Sequence, residues 1–405
     1  MKKHKSIFIM TLILIILSLS CHLPGLQVPV DTEEHEIRPP TTENTITAAT
    51  DESLDLKPTI TEELPPTPEP TSPKATDGQI AYIHKGNVWR YFISSQEMIQ
   101  VTTDGVPGDN SKSYGNLAFS PDGRYLTFSK DSETTIIDFT NNALINISDY
   151  GQFFSWTAEG TQFYSVQGDF ECPEIDELDN QVLINFDIYK FDLNNLENPT
   201  HLANIGGGLN FMLTISNDGK WASIIHCGCY SSCGSENLYY LPTKEIFSPP
   251  VDLYPGYISF SPDSNQMVVS NFQLYGYFES PLYLAKIDFT DVTEIFSQTN
   301  VEPICAQWSP DGEWIVFIGV ILTEDGFEEL DRCIQLIKSD GSHQYIVECS
   351  GANFLTWSPT GDQLLYSQKA DNQREIYIYD LTSNQSTKLP IQADPSFGID
   401  WGRLQ

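Results

Sequence analysis

The chain has 405 residues, 40% hydrophobic and 12% aromatic, and carries 55 acids against 21 bases, a net charge of −34 at neutral pH. That apolar content suffices for a sizeable core, which excludes a wholly disordered chain; the acidic balance argues against binding nucleic acid or anionic lipid, both of which attract clustered cations. Length admits either two average domains or one repeat fold, since repeat and all-β folds routinely exceed roughly 200 residues as single units.

In chain order, residues 1–20 read "MKKHKSIFIMTLILIILSLS": Lys2, Lys3 and Lys5, an apolar run, then small residues before Cys21. This is the order of an export signal, too short to be a dependable membrane span. The run "LSLSC" resembles the lipobox of bacterial lipoproteins, although Ser18 stands where Leu is commonest. The resemblance implies lipidation at Cys21, a membrane anchor and placement in the extracytoplasmic cell envelope. Residues 21–77 are rich in Pro, Thr and acids and have no aromatics. Such a segment cannot bury enough apolar surface to offset its ordering entropy and is expected to be an extended linker.

From Gly78 to the C-terminus one unit recurs. "FSPDGRYLTFS" (119–129), "TISNDGKWASI" (213–223), "FSPDSNQMVVS" (260–270), "WSPDGEWIVFI" (308–318) and "WSPTGDQLLYS" (357–367) each join two strands through a turn. Pro presets φ at the first central position, Asp suits the second, and Gly tolerates the exit. Two further strands follow in the clearer units, so that four strands recur in roughly 45 residues, the signature of a β-propeller blade. Turns begin at Ser120, Thr157 (a degenerate "TAEG"), Ser216, Ser261, Ser309 and Ser358. The chain then ends at "FGIDWGRLQ", with Trp401 in the place of Trp308 or Trp357 but no strand after it, while an unmatched strand opens the repeat region. Pairing 397–404 with 79–83 closes the ring at seven blades; six is the alternative if "SWTAEG" is no true unit.

These repeats resemble the TolB-type (WD-like, SPDG-repeat) β-propeller across 78–405. No N-terminal α/β domain like that of TolB itself is present, so its partners do not carry over. The repeats also resemble the propeller of prolyl-oligopeptidase-like peptidases, yet no G-x-S-x-G elbow or hydrolase domain follows.

Catalytic signatures are scarce. The repeat region has four His (84, 201, 226, 343), no H-E-x-x-H and no phosphate-binding Gly loop. Phe119, Trp308, Trp314 and Trp357 flank turns and read as inter-blade core. In an exported chain cysteines default to disulfides. Cys333 and Cys349 flank "SDGS" nearly opposite each other and form the first candidate pair. Cys227, Cys229 and Cys233 crowd with His226 at C-x-C-x3-C spacing; a disulfide-pinned loop, with Cys172 as a further partner, fits better than zinc, which prefers paired C-x2-C. Cys305 is then the odd thiol in an inner strand.

In a propeller the turns after first strands open on one face, and the connections after second strands open on the other. Four successive blades lengthen the latter, at 168–181, 226–237, 271–280 and 319–330. Insertions confined to one face of a repeat fold commonly mark a binding surface. The first holds Asp169, Glu171, Glu174, Asp176, Glu177 and Asp179, the last Glu324, Asp325, Glu328 and Glu329, none of them beside a base, while Tyr275, Tyr277 and Phe278 on the intervening loop offer flat apolar contacts. The expected function is a binding or scaffold module for a protein, peptide or glycan, with a basic segment or a Ca²⁺-bridged glycan as ligand, although no D-x-D-x-D-G site is present. The alternative is a hydrolase or lyase acting on a glycan or peptide at the channel mouth, distinguished by acids or His converging there.

Overall fold

The computed structural model describes residues 78–404, apart from 110–111, 131–132, 148–153, 169–185, 206–208, 228–236, 251–252, 254, 272–279, 325–327, 350, 371–372 and 395–397. Seven antiparallel four-stranded sheets stand in a ring, a seven-bladed β-propeller, the architecture implied by the TolB-type resemblance. Blade one pairs Ile399–Arg403 with three N-terminal strands; blades two to seven follow in chain order from Gly115–Phe119 to Gln385–Ala393. The first strands of neighbouring blades touch one another round most of the ring and so line the centre.

Closure is as expected: Gln79 pairs with Gly402, Ile80 with Trp401 and Tyr82 with Ile399. Gly402 permits it, because a Cβ there would stand 2.5 Å from the Phe119 ring of blade two. The core is a set of seven layers, each between two blades rather than inside one. Val268, Leu282 and Phe296 of blade five, for example, pack on Val301, Trp308 and Phe317 of blade six. Phe119, Trp308 and Trp357 are buried and Trp314 is partly so, as expected.

The recurring turn owes its form to hydrogen bonds within and between blades. In blade six the Ser309 hydroxyl donates to Asp311 Oδ1 (2.5 Å) and accepts from the Trp314 amide (2.9 Å). Ser120, Ser216 and Ser261 repeat this with Asp122, Asp218 and Asp263. In "SPTGD" the acid has moved, and Ser358 reaches Asp362 instead, with Thr360 bonded to the same oxygen. Successive turns also abut: the Gly312 Cα faces Pro262 and that of Gly361 faces Pro310, while the Asn217 amide donates to the Pro262 carbonyl (3.0 Å). Blade one has no such turn. There Gln79 Nε2 donates to the Gly123 and Arg403 carbonyls (2.8 and 2.7 Å), and Arg403 donates to the Pro359 carbonyl, which carries the ring of turns across the chain termini.

Cys333 and Cys349 are register partners and form a disulfide, as expected. Cys305 departs from expectation. It is buried in the inner strand of blade six, but it is disulfide-bonded rather than a free thiol. A bulge between Ile304 and Gln307, with Cys305 at φ 56°, breaks the strand alternation there and re-aims the side chain. The expected roles of Cys172, Cys229 and Cys233, and of the Cys227 side chain, lie outside the described residues.

Candidate functional site

Each inner strand starts on the long-loop face and ends at its turn, so the channel has two chemically different ends. At the turn end, the residue two before the first residue of each turn, and its counterpart Asp400 in the turnless blade one, is partly exposed. One per blade, these are Asp400, Ala118, Ser155, Thr214, Ser259, Gln307 and Thr356. Several tie one blade to the next: Gln307 Nε2 donates to the Leu355 carbonyl (3.0 Å), and Asp400 Oδ2 accepts from the Phe119 amide (2.6 Å). Asp400 is the one ionisable member of this set, and burial pushes its carboxyl up to about 6 against the opposing bonds from the Phe119 and Trp401 amides.

The long-loop end is organised by blade six. The strands Trp314–Leu322 and Glu329–Lys338 run on beyond the second and third strands of the neighbouring blades, so half of what reads in sequence as a loop at 319–330 is β-ladder. Only 323–328 turns, closed by the Thr323 amide to the Glu328 carbonyl (2.8 Å). Glu324 and Glu328 are exposed there, and Leu330 beside them is 65% exposed. Glu329, expected among the loop acids, opens a strand, and both its oxygens accept from Arg332, Nε and Nη2 each at 2.8 Å. This bidentate pair holds Arg332, only 8% exposed, with Nη1 donating to Asn353 Oδ1 of blade seven (3.0 Å). Asp331 Oδ1 accepts from the Gly351 amide, fixing the entry to the inner strand of blade seven.

Sequence reasoning missed Glu302. It is the second residue of the inner strand Val301–Trp308, between buried Val301 and Pro303. Glu302 pairs with Val320 and Val320 with Arg332, so all three side chains leave the same side of the sheet, the side facing blade seven. Burial raises the Glu302 carboxyl above the usual range; Arg332 opposes that shift and Glu329 adds to it. No spacing announces this residue, since its meaning depends on two strands and a neighbouring blade. In blade seven Arg374, 3% exposed, donates to Ser367 Oγ (3.2 Å); burial lowers its guanidinium to about 10, and Arg332 nearby contributes.

Asp169, Glu171, Glu174, Asp176, Glu177, Asp179, Tyr275, Tyr277, Phe278 and Asp325 lie outside the described residues. The described histidines do not converge on the mouth. His201 pairs with Asp187 (2.7 Å) on the outer strands of blade three, and His343 sits in a turn between outer strands of blade six. His84 ends the second strand of blade one, edge-on to Trp89, with Nδ1 buried and unpartnered among the described residues. Among the described residues no three His, Cys, Asp or Glu side chains are placed to hold a metal.

No family model matches the chain, and no curated protein matches it. Solved structures do. A prolyl endopeptidase is matched at 15% identity with a TM-score of 0.58, over 82% of this chain and 50% of that one. An oligogalacturonate lyase from Vibrio parahaemolyticus is matched at 12% identity with a TM-score of 0.55, over 73% and 83%. TolB from Acinetobacter baumannii is matched at 15% identity with a TM-score of 0.47, over 81% and 82%. At these identities the likeness is one of fold.

Proposed function

We propose that the protein is an extracytoplasmic binding module, lipid-anchored at Cys21 and carried on the 21–77 linker, whose long-loop face holds a protein, peptide or glycan. The unequal state of the two faces carries this reading. The turn hydroxyls and their Asp partners are engaged within and between blades, whereas the exposed carboxylates of Glu324 and Glu328 enter no hydrogen bond or ion pair among the described residues. Exposed like charges at one connection repel each other, which a basic partner would relieve. The test compares cell-surface pull-downs by the full chain, by a variant with the nine loop acids other than Glu329 changed to Asn or Gln, and by a variant stripped of charge on the turn face. Loss of partners in the loop variant alone is expected; loss in the turn-face variant alone overturns the reading. A chelator arm reports whether Ca²⁺ bridges the ligand.

A propeller hydrolase or lyase is the second reading, favoured by Glu302, a carboxyl at the channel mouth that retains its proton above the usual range. Turnover of glycan or peptide panels by the pure protein, lost in Glu302→Gln, would move the assignment to this reading.

A further inference from the structure

The channel mouth between blades six and seven holds a recognition group without a partner among the described residues. Glu302 stands half-buried on an inner strand and accepts no hydrogen bond from any of them. The cation nearest to it in register, Arg332, is already engaged by both oxygens of Glu329 and by Asn353. Among the described residues, Glu302, Glu329 and Glu348 meet Arg332 on the blade-seven side of blade six, an excess of acid over base, whereas Arg374 leaves its strand on the side that faces blade one. A carboxylate withdrawn from water with neither a counter-ion of its own nor a donor is costly, and one monocation bearing N–H donors supplies both. One carboxylate matches one ammonium group in charge and in hydrogen-bonding capacity, whereas Ca²⁺ draws on roughly six to eight oxygens. Outside the mouth, exposed Glu324 and Glu328 steer cations inward, and exposed Leu330 offers apolar surface to an aliphatic stem.

We propose that Glu302 receives the primary ammonium group of a basic peptide entering the channel mouth from the long-loop face. This rests on the binding-module reading and names its central contact. A lysine side chain and a peptide N-terminus share the chemistry, and two probes separate them: an N-acetylated trilysine amide, and a triglycine amide with a free N-terminus. Isothermal titration of the full chain with each should show Glu302-dependent binding of at least one, weakened about ten-fold by Glu302→Gln, with the stronger probe naming the source. The Glu324→Gln/Glu328→Gln double variant should weaken binding less than about three-fold, an effect that vanishes by about 0.5 M salt, where the Glu302 difference persists. Glu302→Gln should melt no lower than the parent chain, since it removes a buried charge, and Glu302→Asp should retain part of the binding. Equal binding of both probes by Glu302→Gln, or equal binding of a lysine-acetylated trilysine, overturns the proposal. If the nine-acid variant, which keeps Glu329, loses its partners in pull-downs while Glu302→Gln keeps them and binds both probes as the parent does, this contact is wrong and the face is right. If neither variant loses partners, the face itself is wrong.

Discussion

On the turn face of the ring, the Ser hydroxyls bond an Asp or a backbone amide of the same blade, and the prolines and glycines of successive turns press on one another. On the long-loop face the same strands end in connections of unequal length, where exposed acids stand near a buried Arg332 held by Glu329 and a Glu302 that no described residue bonds. One face repeats because repetition is what holds the blades in register. The other departs from repetition blade by blade, and it is there that polar groups remain available to a partner. On the proposed reading, the repeated turn contacts and the binding face sit at opposite ends of the same inner strands.

The largest effect should come from breaking the ring where the turn face spans the termini. Deleting residues 397–405 removes the inner strand of blade one, along with the contacts of Trp401 in its core layer and of Arg403. Unpaired edges should follow, and calorimetry should find no single cooperative transition. A truncated chain that melts like the parent would show that the turn ring does not need its closure.

Next is Arg332→Ala. It removes a buried guanidinium that ties Glu329 to Asn353 of the next blade, an expected loss of about 3 kcal/mol in denaturant unfolding. A loss under about 1 kcal/mol would mean that the pair is solvated and that the long-loop face carries no buried electrostatics.

Smaller again is Ser309→Ala, which removes one hydroxyl that donates to Asp311 and accepts from Trp314. About 1–2 kcal/mol should be lost, against no measurable loss for Glu324→Gln or Glu328→Gln. Equal losses would erase the distinction between the faces.

The smallest effect concerns pH at the turn end of the channel. The Asp400 carboxyl titrates at about 6 in the folded chain, above the ordinary 3.8, so the folded state holds the proton more tightly than the unfolded one. Its contribution to stability is complete below pH 3.8 and is lost as pH rises through about 6, roughly 1–2 kcal/mol allowing for channel water. Asp400→Asn keeps an acceptor for the Phe119 amide and should flatten that slope. An unchanged pH profile would show that Asp400 titrates as an open surface acid.

The turn motif makes the propeller and its ring closure legible in the chain itself, because a Ser-Pro-Asp-Gly hairpin encodes its geometry within a few residues; the degenerate "TAEG" leaves six or seven blades open, and the seven sheets decide it. Tyr82 and Ile399 meet as the strand arithmetic requires, and Cys333 and Cys349 lie opposite each other because a short turn fixes the register between them. Residues 319–330 read as a loop because alternation in a long hairpin looks the same whether the ladder stops at Phe317 or runs to Leu322. Cys305 reads as a free thiol because the bulge that re-aims it has no reliable sequence signal.

The repeated blade, the ring closure, the acidic charge and the chemistry of the turn are written in the chain, since they follow from contacts between residues near in sequence or repeated at a fixed period. That Glu329 belongs to Arg332, that Asp400 bonds the next blade and that Glu302 stands at the channel mouth with no donor among the described residues emerge only from the folded ring. Each of those depends on which side of a strand a residue leaves and which neighbouring blade it then meets, and that is set by packing around the whole propeller rather than by any local pattern.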